Sequence, residues 1–144
     1  MKRIVALIAL TTVLLVNEVD ACSCGPINSP EEHLSRSEIV FIGIARSKKD
    51  ASSSDKPFFP NTATSFEVLE ALKGVSDDNI EIFHDEPELT GNCGISFSVG
   101  VKYRVFANTN SDVPYTSMCD ASFPDEAGIG WPWEEYRAAV ERQE

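Results

Sequence analysis

The sequence predicts a mainly β protein, an antiparallel barrel or sandwich with a short helix before the strands and an amphipathic helix after them. Short segments rich in β-branched and aromatic residues recur along the chain with turn residues between them. These segments follow one another without intervening helices, which argues against a parallel sheet. The 144 residues are enough for one domain with a modest core.

The first residues have the layout of a signal peptide. Lys2 and Arg3 precede an uncharged run, residues 4–16. As a helix this run would cover only about two thirds of the ~30 Å hydrocarbon core of a bilayer. We therefore predict that residues 1–21 are a cleaved signal peptide and that the chain has no membrane span.

The predicted cleavage site lies between Ala21, a small residue, and Cys22. Residues 22–144 then form the exported domain, which is secreted or periplasmic. Lipidation of Cys22 is the alternative, and Asp20 fits it poorly.

Charge excludes one class of partner. The formal net charge is −11, so the surface should repel nucleic acid. An excess of carboxylates serves solubility, and attraction of a basic partner is the alternative. We expect a monomer that needs no cofactor and is not an enzyme.

Four cysteines follow the predicted cleavage site, namely Cys22, Cys24, Cys93 and Cys119. An exported chain meets an oxidising compartment, so two disulfides are expected. A bridge between Cys22 and Cys24 would close a strained ring, which leaves two long-range pairings open. A zinc site of four thiolates is disfavoured because Cys93 and Cys119 stand alone in the sequence.

The first element after the cysteine pair is a short helix, residues 30–37. Ser29 is its predicted N-cap, Pro30 occupies the first helical position and Glu32 completes a capping box. His33 lies in this helix and is interpreted as a surface or packing residue, as is His84.

A buried central strand is predicted for residues 39–45, with a bulge or bend at Gly43. Residues 47–61 should form a long connection because they hold a serine run and two prolines. Within it, Phe58 and Phe59 either cover the core or form an exposed contact site.

Alternation of apolar and polar residues predicts the remaining strands. Their ranges are 62–73, 79–84, 101–105 and 115–119. The chain then changes period: Trp133, Tyr136 and Val140 share one helical face, so residues 133–143 should form an amphipathic helix on the sheet.

Five short motifs are spread over residues 22–144. They are Cys22-Ser23-Cys24-Gly25-Pro26, Ser37-Glu38-Ile39-Val40-Phe41, Leu72-Lys73-Gly74, Cys93-Gly94 and Ser117-Met118-Cys119. Together they resemble the tissue inhibitors of metalloproteinases. The resemblance implies a netrin-type module, a five-stranded OB-like Greek-key barrel with flanking N-terminal and C-terminal helices. It also implies the pairing Cys22–Cys93 and Cys24–Cys119.

The resemblance further implies an inhibitory site. In that family the first cysteine of the mature chain chelates the catalytic zinc of a metalloendopeptidase through its α-amino group and carbonyl oxygen. Here that residue would be Cys22, and Ser23 would enter the specificity pocket of the protease. The residues implied to contact the protease are Cys22, Ser23, Cys24, Gly25, Gly91 and Asn92. The chain has fewer cysteines than the animal inhibitors, so a netrin-type protein-binding module without inhibitory activity is the alternative.

Overall fold

The computed structural model describes residues 22–52, 59–87 and 93–143, and the predicted signal peptide lies outside them. The described strands are β1 (Ile39–Asp50), β2 (Thr62–Lys73), β3 (Asn79–His84), β4 (Lys102–Asn110), β5 (Val113–Tyr115) and β6 (Phe123–Pro124). Two α-helices flank them, α1 (Pro30–Ser35) and α2 (Trp133–Glu141). The predicted mainly β class is confirmed.

The strand pairings close on themselves in a ring of five strands, in the order β1, β2, β3, β5, β4 and back to β1. Neighbours in the ring are antiparallel except β3 and β5, which meet in parallel at the pair Phe83 and Tyr115. The two-residue strand β6 pairs with β4 through Tyr103 and Arg104. The ring therefore joins strands that are far apart in the sequence.

Strand β1 is buried on both faces at its first half. Successive side chains of a strand point to opposite faces, so Ile39 and Phe41 face one side while Val40 and Ile42 face the other. The register of β1 against β2 shifts at Gly43, where a bulge was expected. A Cβ atom there would lie 2.7 Å from a backbone oxygen of β2, so this close approach requires glycine.

One face of the strands forms what we call the inner core, which lies inside the ring. Its buried residues are Ile39, Phe41, Ala45, Phe66, Ile82, Phe97, Tyr103, Val105 and Ala107. The ring of Phe66 makes edge contacts with those of Phe41, Phe97 and Tyr103 at centroid distances of 5.6, 5.0 and 6.3 Å. These edge-to-face arrangements are the favoured geometry for packed aromatic rings.

The other face of β1 and β4 is covered by the helices, and we call this second cluster the helix layer. Its buried residues are Leu34, Val40, Ile42, Phe106, Phe123, Trp133, Tyr136 and Ala139. The predicted stripe of Trp133, Tyr136 and Val140 does face the sheet. Helix α2 ends at Glu141, two residues before the predicted end.

Helix α1 ends at Ser35, two residues before the predicted end, and it is capped at both ends. Ser29 Oγ accepts from Glu32 N at 3.1 Å, as predicted. The predicted capping box is wrong in its second half: the Glu32 carboxylate accepts from Asn28 N at 2.9 Å and from the Asn28 side-chain amide at 3.0 Å, one residue before the N-cap. At the other end Lys73 Nζ donates to the carbonyl oxygens of Leu34 and Ser37 at 2.8 and 2.6 Å.

Three strand predictions were wrong in extent. The strand predicted for residues 101–105 is β4, which continues to Asn110. Strand β1 continues to Asp50, so the connection to β2 starts at Ala51. Strand β5 ends at Tyr115, and Cys119 lies in a 3₁₀ turn, Met118–Asp120. In the connection, Phe59 packs edge-on against Phe83 at 5.4 Å between ring centroids, whereas Phe58 lies outside the described residues.

Candidate functional site

The N-terminal segment, residues 22–28, forms neither helix nor strand and is fastened by two disulfides. They join Cys22 to Cys93 and Cys24 to Cys119, which is the pairing that the resemblance implies. All four cysteines are used in this way, and the bridges span 71 and 95 residues of sequence. No thiolate is therefore left for metal binding or for nucleophilic chemistry.

Cys93 and Cys119, the partners of the two N-terminal cysteines, lie on neighbouring segments. Met118 N donates to the carbonyl oxygen of Cys93 at 3.1 Å, which joins the segments that hold Cys93 and Cys119. A Cβ atom on Gly94 would lie 2.0 Å from the carbonyl oxygen of Asp85, so the chain after Cys93 lies directly on the residue that follows β3. This backbone contact explains why glycine follows Cys93.

The turn that carries Cys119 is stabilised by its own polar residues. Ser117 N donates to Asp120 Oδ2 at 2.7 Å, and Cys119 N donates to Ser117 Oγ at 3.3 Å, so the two side chains form a capping box. Asn108 of β4 also donates to Asp120, at 2.9 Å. This capping stabilises the turn that follows the end of β5.

The predicted contact residues differ in exposure. Ser23, Cys24 and Gly25 are exposed, and Cys22 is partly buried. Gly91 and Asn92 lie outside the described residues, so their position beside Cys22 stays a prediction. We call residues 22–25 the N-terminal edge, an accessible stretch of backbone held at two points.

One further residue at this site was not singled out from the sequence. Met118 lies between the capping residue Ser117 and the bridged Cys119, and its side chain is 46% exposed. Met118 therefore offers an accessible apolar group next to the N-terminal edge. The sequence feature that could have indicated Met118 is its position in the motif Ser117-Met118-Cys119.

Two buried histidines lie behind the disulfide-bearing segments. His33 on α1 is 2% exposed and stacks on Phe106 at a centroid distance of 3.6 Å. Its Nε2 lies 2.8 Å from the carbonyl oxygen of Asp120, and its Nδ1 lies 2.9 Å from the hydroxyl of Tyr136. Burial lowers the pKa of His33.

His84, the last residue of β3, repeats this arrangement near the other disulfide. It is fully buried, with Nδ1 2.7 Å from the carbonyl oxygen of Ile95 and Nε2 2.8 Å from the hydroxyl of Thr64. Burial lowers the pKa of His84 as well. The sequence predicted that His33 and His84 are surface or packing residues, and in the structure both are packing residues.

The described residues contain no cluster of three or more side chains that could hold a metal ion. Within the same ranges, no helix is both long enough and apolar enough to cross a bilayer. No protein-family model matches the chain, and neither does any curated protein. Function must therefore be inferred from the chain's own residues, and the N-terminal edge is the strongest candidate site.

Proposed function

We propose that the chain, once cleaved before Cys22, is a secreted inhibitor of a zinc metalloendopeptidase. The α-amino group and carbonyl oxygen of Cys22 would chelate the catalytic zinc of that protease. The observation that supports this most is the double attachment of residues 22–24, which keeps Ser23 exposed between two disulfides. The proposal includes membership of the family that the motifs resemble.

The chemistry of such a contact is favourable. A free α-amino group has a pKa near 8, so its neutral form, which can bind zinc, is accessible at physiological pH at a cost of about 1 kcal/mol. The amine nitrogen and the carbonyl oxygen of one residue close a five-membered chelate ring on a metal. A catalytic zinc keeps one position open for water, and the chelate would displace that water.

Rigidity of the N-terminal edge supports affinity. Association has an entropic cost for every chain segment that it orders, and a segment already fixed by disulfides avoids most of that cost. The short exposed side chain of Ser23 would then enter the specificity pocket of the protease. Exposed Met118, next to Cys119, would form a second contact.

The architecture is compatible with the proposed OB-like Greek-key barrel of a netrin-type module. The ring of five strands and the helix layer on one side of it support this proposal. We infer the same module for the second candidate function, a protein-binding module without inhibitory activity. Function does not follow from fold, so the same module could bind a protein partner without inhibiting a protease.

The test is a titration of oxidised protein that starts at Cys22 against a panel of zinc metalloendopeptidases. The matched control carries one extra alanine before Cys22, which keeps both disulfides but converts the amine into an amide. We expect stoichiometric inhibition by the first protein. The control should be weaker by at least about 100-fold, because an amide nitrogen is a poor zinc ligand and the added residue blocks the open position.

Equal inhibition by both proteins would exclude chelation by the amine of Cys22. If neither protein inhibits any protease of the panel, the binding-module function is favoured. In that case, a partner that binds the protein equally well with and without the extra alanine supports a protein-binding module without inhibitory activity.

A further inference from the structure

We propose that His33 and His84 are positioning residues that hold the two disulfide-bearing segments in place only while their rings are neutral. The chain has two histidines, and each is bound between a hydroxyl group and a backbone carbonyl beside a different disulfide. The inference concerns the N-terminal edge itself and holds whether or not Cys22 meets a protease.

The hydrogen-bond partners define the protonation state of each ring. A carbonyl oxygen only accepts, so the nitrogen that faces it carries the proton. This is Nε2 in His33, which donates to Asp120, and Nδ1 in His84, which donates to Ile95. The second nitrogen of each ring then accepts from a hydroxyl, that of Tyr136 or Thr64. Both neutral rings are therefore fully paired.

Protonation of His33 would disturb this arrangement. A proton on Nδ1 would face the hydroxyl of Tyr136, whose own proton would lose its acceptor in a fully buried site. Burial raises the pKa of Tyr136 to about 12, so its hydroxyl stays a donor. The charged groups facing His33 are Asp120, which favours the charged ring, and Arg36, which opposes it; burial outweighs both.

The same holds for His84, whose Nε2 faces the buried hydroxyl of Thr64. Glu86 lies 4.0 Å from Nδ1, and Asp85 is also near; both favour the charged ring, while Lys48 opposes it. Burial is the largest effect here too, and it keeps the pKa of His84 below its usual value. The protonated form of each histidine is thus disfavoured as long as the disulfide-bearing segment beside it stays packed on the ring.

The sign of the pH effect follows from this. A histidine released by local opening takes up a proton with its ordinary pKa near 6.5, whereas the closed state resists protonation. The stabilisation of each segment is therefore fully present above about pH 6.5 and is lost as the pH falls below that value. Each histidine should act mainly on its own segment, His33 on Cys119 and His84 on Cys93.

The test measures how fast each disulfide is reduced by a water-soluble phosphine, which attacks without needing a thiolate. Released thiols are trapped and assigned by mass spectrometry, and rates are divided by the rate for oxidised glutathione at the same pH. We expect both disulfides to be reduced faster at about pH 5 than at about pH 8, by up to about 30-fold, which is the limit set by a free-state pKa near 6.5.

Two variants assign the effect. His33→Gln and His84→Asn each keep an N–H donor at the position of the donating ring nitrogen but do not titrate in this range. His33→Gln should abolish the acid acceleration at Cys24–Cys119, and His84→Asn should abolish it at Cys22–Cys93. Acceleration that persists at the variant's own disulfide overturns the proposal.

A measurement on the unaltered protein keeps the test independent of variant folding. Ring nitrogen and carbon shifts in NMR should show the Nε2–H tautomer for His33 and the Nδ1–H tautomer for His84, both titrating below pH 6.5. A ring that titrates at or above about 6.5 in the folded protein contradicts the proposal. Since no protease is used, failure of the inhibitor hypothesis leaves this result unaffected.

Discussion

The two faces of β1 and β4 are covered in different ways. The inner core is enclosed by strands whose backbone hydrogen bonds close into a ring. The helix layer is covered by α1 and α2, which have only six and nine residues. Helices of that length are marginal in isolation, so they depend on what fixes them to the sheet.

Polar contacts between distant residues fix the helix layer. Lys73 on β2 donates to the carbonyl end of α1, and Arg137 on α2 makes a two-pronged ion pair with Glu70 on β2 at 2.6 and 2.7 Å. His33 connects α1 to Tyr136 on α2. The inner core should therefore set the global stability of the protein, whereas the helix layer should respond to the loss of single polar groups.

The largest effect is expected for Phe66→Ala in the inner core. Phe66 is fully buried among three aromatic rings, so truncation leaves a cavity and should lower the free energy of unfolding by about 3–5 kcal/mol. Urea unfolding followed by far-ultraviolet circular dichroism measures it. Leu69→Ala on the same strand is the control, since Leu69 is 49% exposed and should change stability by about 0.5 kcal/mol or less. If both variants lower the free energy of unfolding by a similar amount, the inner core does not set the stability of the protein.

A smaller effect is expected for Lys73→Met, which keeps the aliphatic stem and removes the ammonium group. The Ser37 carbonyl oxygen loses its ammonium donor and that of Leu34 keeps only the N–H of Ser37 at 3.3 Å, so the loss should be about 1–3 kcal/mol. Both tryptophans, Trp131 and Trp133, pack in the helix layer, so their fluorescence reports on that layer. We expect the fluorescence transition to shift to lower urea than the circular dichroism transition.

The control for this variant is Lys49→Met. Lys49 is exposed and pairs with Glu81 at 2.6 Å, a surface contact worth about 1 kcal/mol or less. If Lys73→Met shifts both transitions together by the same amount, the helix layer does not unfold separately from the inner core.

The smallest effect is expected for Arg137→Gln. The ion pair with Glu70 lies at the surface, and the Arg137 guanidinium lowers the pKa of the Glu70 carboxyl by hydrogen bonding. Exposed pairs contribute about 1 kcal/mol or less, and salt screens them. Unfolding measured at low and at high salt should show a loss that shrinks as salt is added. A loss that is independent of salt would mean that Arg137 acts through packing.

Features with a local period could be predicted from the sequence. The alternation around Phe66 and Ile82 and the helical stripe at Trp133 and Tyr136 mark buried faces, and the structure buries them. The last part of β1 could not be predicted, because residues 46–50 are all exposed and are a strand only through their pairing with β2.

Less of the candidate site could be predicted from the sequence. The residues alone left two disulfide pairings open, and only the resemblance selected the one observed. A lone histidine in a sequence does not show whether it is buried, so the partners of His33 and His84 emerged only with the fold. The turn at Cys119 depends on Asn108 and on the disulfide to Cys24, both distant in sequence.

The shortest ladder of the ring, between β3 and β5, coincides with a covalent closure. Cys93 follows β3 and Cys119 follows β5, and both are bonded to the tripeptide of residues 22–24. The tripeptide thus links covalently the two chain segments that follow β3 and β5. Residues 22–24 are among those proposed to contact a partner, so a partner would meet backbone that is bonded covalently at two points and not a loose chain end.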